Sequence, residues 1–319
     1  MNVCYTVYDA SAVVSMASLL NVEKKMGHPD IAFFVFVDRG GESFFEKMVV
    51  LAKQYGANIC QLPLDGVYSF CISHGFPPWH GFYLNYARVF LPLLCPTIER
   101  IIYLDGDTMI LRAIDDLWKF DLGKKSIGGV HDSFFSIPEN YRKYEHGGKA
   151  GSINDGILLL DLSQLRKEGF NDKITRFGPQ NIEAFTDQDL FNLNFADSIA
   201  YLPPCFNFHS RLRFLSYRQY KKDFGTYRLY SHQEFRESKK HPVIVHFNGS
   251  YFDRPWYRLN YSFYSHKWRK YYENVFGFRP QLTLIPNQTV KNKFARLVKL
   301  LLSRILPGPY FYSIVVKHH

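Results

Sequence analysis

No stretch of this 319-residue chain is apolar for long enough to span a bilayer. The strongest runs, such as residues 31–37, reach roughly a third of the ~20 residues a spanning helix needs, so a transmembrane protein is not expected. A charged leader with an apolar stretch and cleavage site is also missing, because Met1 and Asn2 lead straight into an apolar strand, and export is not expected. Cysteine is scarce: Cys4, Cys60, Cys71, Cys95 and Cys205 are odd in number, widely spread and nowhere spaced C-x-x-C. That pattern argues against a disulfide framework and reads as buried thiols in a reducing, cytoplasmic compartment. No glycine-rich phosphate loop follows the first strand, where residues 6–11 read TVYDAS, so dinucleotide-dehydrogenase and P-loop readings lose their main support.

What is present is globular: 46% hydrophobic and 17% aromatic residues, enough for one large domain or two smaller ones. The net charge of +10 favours an anionic partner. Strand-like and helix-like stretches alternate, with strands at residues 3–7, 31–37, 58–62 and 101–104 and helices at 12–26, 42–55 and 81–94. This is the pattern of an α/β fold with a mostly parallel central sheet, in which ligands bind beyond the carboxyl ends of the strands.

At one such end stand Asp105, Gly106 and Asp107, with apolar residues on both sides. In extended backbone residues i and i+2 project to one side, so both carboxylates would aim into one small volume. Two anions that close call for a cation, and hard oxygen ligands suit Mn²⁺ or Mg²⁺. The competing reading is a plain turn, for which Asp and Gly are ordinary residues. His246 repeats the pattern, following the β-branched run 243–245 and preceding Phe247, Asn248 and Gly249, and an imidazole suits Mn²⁺ better than Mg²⁺. Tyr8 and Asp9 offer a stacking face and a carboxylate for a base and ribose, while Asp9 reads equally as a helix cap. Asn154, Asp155 and Gly156 open a buried strand; Asp187, Gln188 and Asp189 open a helix, where Thr186 and Asp189 also read as a capping box. Residues 131–152 read as a mobile lid.

Residues 205–240 interleave aromatics with nine Lys or Arg and three acids, a pattern that stacks sugars or bases. No RNA-binding signature accompanies it, so a nucleic-acid partner is not expected. The tail, residues 281–319, contains a basic amphipathic stretch, with five Lys or Arg and no acid in residues 291–304. It reads as a helical contact with an anionic membrane surface, against docking on its own domain.

Tyr86-Ala87-Arg88, Tyr103 to Asp107, Ile153 to Gly156, Asp187 to Asp189 and His246 to Gly249, in this order and spacing, resemble glycosyltransferase family 8. The likeness is close in type to bacterial lipopolysaccharide and lipooligosaccharide galactosyl- or glucosyltransferases, with glycogenin a more distant relative. It covers about residues 3–256 and implies a GT-A fold. The catalytic domain would be residues 1–280, with a donor-binding part at about 1–165 and an acceptor-side part at about 166–280. The resemblance implies a Mn²⁺-dependent, retaining transfer of a hexose from UDP-galactose or UDP-glucose to a glycan or glycolipid acceptor, on the inner face of the cell membrane. By the same resemblance Asp105, Asp107 and His246 would hold the metal. Thr6, Tyr8 and Asp9 would line the uridine. Arg88, Asn154, Asp155, Gly156, Asp187 and Gln188 would surround the donor sugar. Gln188 would stand at the reacting face, with Asp187 or Asp189 as the alternative nucleophile, and Gly249 and Arg254 would meet the diphosphate. The chain departs from the family in carrying Asp155 where a small residue is common. Its H-x-x-G-S-Y-F-D-R-P-W is also two residues longer than the family's motif and has Arg254 in place of Lys. A sugar-nucleotide pyrophosphorylase and a non-catalytic basic membrane- or RNA-binding module are the alternatives. The first would need a glycine-rich basic loop after strand one.

Overall fold

Along strands β1 (Asn2–Val7) and β4 (Arg100–Leu104) successive side chains leave on opposite faces. Val3, Tyr5, Val7, Ile102 and Leu104 therefore enter one apolar core, and Cys4, Ile101 and Tyr103 the other. The computed structural model describes residues 1–27, 30–79, 81–132, 152–176, 178–180, 186–224, 230–248, 254–258, 260, 262–284, 298 and 302. The remaining strands are β2 (Ala32–Val37), β3 (Asn58–Leu62), β5 (Thr108–Ile110), β6 (Ile127–His131), β7 (Ile153–Asp161), β8 (Ile199–Tyr201) and β9 (Ile244–His246). Seven of them form one sheet in the order β3-β2-β1-β4-β7-β6-β8, while β5 and β9 form a separate pair.

The sheet is mostly parallel, as the alternating pattern predicts. The exception is β7, which runs antiparallel to both β4 and β6. Its run of Ile157, Leu158, Leu159 and Leu160 is fully buried, divided between the two cores, as suits a central strand covered on both faces. Cys60 corrects the expectation of buried thiols: it is exposed because β3 is the edge strand.

Helix α1 (Ala10–Met26) buries Val13, Met16, Ala17 and Leu20, the face its spacing predicts. Helix α2 (Glu42–Tyr55) also falls where the periodicity places it. The expected helix at 81–94 does not form as one unit. The structure has α3 (Asp65–Ser73), then a 3₁₀ helix at Leu84–Phe90 and a single α-turn at Leu91–Leu94. Gly81 has a φ of 88°, a left-handed conformation outside any right-handed helix. Among the described residues no helix is long and apolar enough to cross a membrane. The lid expected at 131–152 lies outside the described residues except for its ends, and most of the tail beyond 284 does too. Of the tail, Val298 is 38% exposed and Leu302 packs partly buried against the first core.

Candidate active site

Asp105 follows β4 and Asp107 precedes β5, and the backbone between them is a turn. The extended geometry expected from the sequence is thus replaced by a turn that still converges both carboxylates. Thr108 Oγ1 donates to the Asp105 carbonyl at 2.8 Å, and Asp105 N–H donates to the Gly156 carbonyl at 2.7 Å, which pins the turn to the N-terminal half of β7. Gly106 is needed for close approach: a Cβ there would lie 3.1 Å from Ala12 Cβ and 3.2 Å from its backbone nitrogen.

His246 arrives through the small sheet. β5 and β9 pair with Thr108 opposite His246, and Phe247 N–H donates to the Asp107 carbonyl at 2.8 Å. This register sets His246 Nε2 3.0 Å from Asp107 Oδ1 and 3.7 Å from Asp105 Oδ2. One ligand atom from each of the three residues lies within 4.8 Å of the other two, the only such His/Cys/Asp/Glu cluster among the described residues. Nε2 is buried and has no hydrogen-bond partner, while the other ring nitrogen meets Asn207 Oδ1 at 3.0 Å. A buried nitrogen without a hydrogen bond, facing two carboxylates, fits a divalent cation with mixed oxygen and nitrogen ligands.

Electrostatics support the same fit. Burial pushes the Asp105 carboxyl up, and Asp107 adds to it against the opposing pull of Arg88. Burial acts on Asp107 too, but His246 and Arg254 more than offset it and hold that carboxyl below the usual range. Two neighbouring buried carboxyls shifted in opposite directions mark a place where like charges repel, and a cation between them would relieve that repulsion.

Arg88, 4% exposed at the end of the 3₁₀ helix, gathers a second group of carboxylates. Nη1 lies 3.2 Å from Asp105 Oδ1 and 3.4 Å from Asp155 Oδ1, and Nη2 lies 2.9 Å from Asp187 Oδ2. Nη1 also donates to the Asp155 carbonyl at 2.8 Å, and the guanidinium sits 4.6 Å from the Tyr103 ring centroid. Burial, with Asp187 and Asp105 nearby, raises the Asp155 carboxyl well above the carboxylate range even though Arg88 opposes the shift.

Asn154 and Gln188 share this neighbourhood, joined by an Asn154 Nδ2 to Gln188 Oε1 bond of 3.3 Å. Asp189 is fully buried, and its Oδ2 accepts from the Thr186 N–H at 2.6 Å and hydroxyl at 2.9 Å. The capping-box reading of helix α4 (Asp187–Asn194) thus describes its place. Tyr8, 60% exposed, presents an open ring at the end of β1. Asp9 caps α1, accepting the Ser11 N–H at 2.8 Å. The Thr6 hydroxyl is buried and meets Tyr103 OH at 3.0 Å, and Tyr103 in turn donates to Asp105 Oδ1 at 2.7 Å. Arg254 lies close enough for its charge to act on Tyr8, Asp9 and Asp107. Gly249 lies outside the described residues.

Gly156 shows how little room the cluster leaves. Its φ is not in the left-handed region, so packing alone requires the glycine. A Cβ there would lie 2.3 Å from His246 Cε1 and 2.6 Å from Asp105 Oδ2. Gly156→Ala is expected to displace one of them and weaken Mn²⁺ binding about 10-fold or more, read by calorimetric titration of the full chain, while costing about 1–3 kcal/mol of stability. Unchanged Mn²⁺ affinity in a folded Gly156→Ala protein would count against this site.

Asn207 and Asp132 hold the site together but are not among the residues singled out in the sequence, and Tyr103, which belongs to the quoted motif, is given no role there. For Asn207 the only signal is an amide set between two aromatics, Phe206 and Phe208.

The sequence model described as "Glycosyl transferase family 8" matches residues 4–260. Galactosyltransferase LgtC, solved with donor and acceptor sugar analogues, superposes with a TM-score of 0.68 at 20% identity over 90% of this chain and 98% of that one, a likeness of fold. The fold is thus of the GT-A type expected. "General stress protein A" of Bacillus subtilis (strain 168) is 27% identical over 176 residues, 54% of this chain and 58% of its own length. "Probable galacturonosyltransferase-like 6" of Arabidopsis thaliana is 29% identical over 190 residues, 56% of this chain and 51% of its own. The matches span little more than half the length of either curated relative.

Proposed function

Since this chain belongs to glycosyl transferase family 8, we propose that it is a retaining transferase moving galactose or glucose from a UDP-sugar to an acceptor hydroxyl. The observation that carries this reading is the convergence of Asp105, Asp107 and His246, with an Nε2 that has no hydrogen bond, at the ends of three strands. These residues would hold a divalent ion, Mn²⁺ in this reading with Mg²⁺ as the alternative, whose chemistry when bound is to offset charge on a leaving diphosphate. Arg254 adds a planar guanidinium suited to phosphate oxygens. The open ring of Tyr8 provides a face on which a base can stack. Arg88 holds Asp187 and Asp155 where sugar hydroxyls can hydrogen-bond to them, and Gln188 stabilises the anomeric centre as the diphosphate departs.

The charge balance favours a neutral hexose. Three carboxyl groups already surround one guanidinium, so a donor bringing its own carboxylate would add a like charge to a buried site. This sets the reading apart from the galacturonosyl transfer in the name of the plant relative. The acceptor we place on a cell-surface glycan or its lipid-linked precursor, as in lipopolysaccharide assembly, with the basic tail holding the enzyme peripherally at the cytoplasmic face.

The test is titration of the full chain with UDP-galactose, UDP-glucose and UDP-galacturonic acid, with Mn²⁺ and with a chelator. Binding and slow donor hydrolysis are expected with one of the neutral hexoses and only with the metal. Equal binding under chelation, or preference for the uronic acid, would overturn the assignment.

A further inference from the structure

The amides behind the metal-binding cluster form one directional chain. His246 Nδ1 meets Asn207 Oδ1 at 3.0 Å, and Asn207 Nδ2 donates to Asn154 Oδ1 at 2.7 Å. Asn154 Nδ2 donates to Gln188 Oε1 at 3.3 Å, and Gln188 Nε2 donates to Asp132 Oδ2 at 2.9 Å. Each amide has two orientations, and reversing one would set donor against donor along the line. Two anchors choose the direction independently. The Gly156 backbone N–H donates to Asn154 Oδ1 at 3.2 Å, so that atom is the oxygen. At the far end the Asp132 carboxylate accepts, so the Gln188 atom facing it is the nitrogen. Both anchors leave Asn207 presenting its oxygen to the imidazole, and the proton of His246 must then sit on Nδ1. Nε2 is left with a lone pair aimed at Asp105 and Asp107.

We infer that Asn207 is a positioning residue: it locks His246 in the tautomer whose Nε2 can ligate a cation, and through Asn154 it ties that ligand to the orientation of Gln188. The inference rests on the metal-binding reading above. Asn207 is fully buried, and backbone bonds keep it beside the imidazole: Phe208 N–H donates to the Ile244 carbonyl at 2.8 Å and His246 N–H to the Phe208 carbonyl at 3.1 Å. Its effect is exerted through its two neighbours.

Two substitutions separate this role from packing. Asn207→Leu removes both bonds at similar volume. Asn207→Asp keeps an acceptor for the imidazole N–H but sets a second oxygen against Asn154 Oδ1, which the Gly156 N–H holds in place. With Mn²⁺ alone as titrant on the full chain, Asn207→Leu is expected to lose about 10- to 100-fold in affinity. Asn207→Asp is expected to bind Mn²⁺ within a few-fold of wild type yet turn over its UDP-sugar about 10-fold more slowly. A folded Asn207→Leu protein with wild-type Mn²⁺ affinity overturns the inference. If the Leu variant does not fold, Asn207→Asp decides alone, because wild-type turnover, or Mn²⁺ affinity lowered as far as the Leu estimate, overturns it equally. Failure of the wild-type chain to bind Mn²⁺ is a different result, which removes the metal-binding reading itself.

Discussion

Asp107→Asn is expected to lower sugar transfer by on the order of 10³-fold and to abolish Mn²⁺-dependent UDP binding, with the fold intact. A metal at a leaving phosphate supplies several kcal/mol of charge stabilisation, and each 1.36 kcal/mol is tenfold in rate. Asp107 is a cleaner target than Asp105, which also receives Tyr103 OH and pairs with Arg88. Arg254, and His246 when its imidazole is protonated in place of ligating a cation, lower the Asp107 carboxyl. An amide of the same shape preserves the turn but removes the anion. The checks are a thermal melt, a Mn²⁺ titration and single-turnover transfer. If Asp107→Asn folds, fails to bind Mn²⁺ and still transfers sugar at the wild-type rate, the metal plays no part in the reaction.

Arg88→Met should act on stability as strongly as on activity. The guanidinium is 4% exposed and serves Asp105, Asp155 and Asp187 at 3.2, 3.4 and 2.9 Å, so its loss leaves carboxylates buried without their counter-charge. Breaking a buried pair by removing one partner typically costs about 3–5 kcal/mol, which in urea unfolding shifts the midpoint by roughly 1–3 M. Lysine does not rescue it, because one ammonium cannot form the fork that reaches all three acids. Adding Asp155→Asn to Arg88→Met should recover part of the loss, as one of the stranded acids is gone. A midpoint unchanged in Arg88→Met would show that water or shared protons already compensate the cluster.

Much of this site is legible along the chain because its ligands stand at the ends of apolar strand-like runs, and a strand end is a place the sequence marks. Asp105, Asp107 and His246 are all recognisable in that way, and so is Arg88 once the family resemblance is noted. Strand direction is not marked: the run 157–160 would look the same in a parallel strand, and only the pairing with β4 and β6 makes β7 antiparallel. Helix α3 begins Asp65-Gly66, which reads as a turn, and the 3₁₀ segment at 84–90 has an apolar pattern that suits a regular helix as well. Asn207 is illegible for a stronger reason. Its partners, Asn154 and His246, lie 53 and 39 residues away, and no local pattern encodes an orientation set by them.

The β5–β9 ladder has only three residue pairs, Thr108–His246, Met109–Val245 and Ile110–Ile244, yet it closes more than a hundred residues of intervening chain into a ring. A cation held by Asp107 on one side and His246 on the other would act as a clasp on that ring. Local opening of the ladder and release of the ion then become the same event, and the affinity for the ion counts toward keeping this corner of the molecule shut.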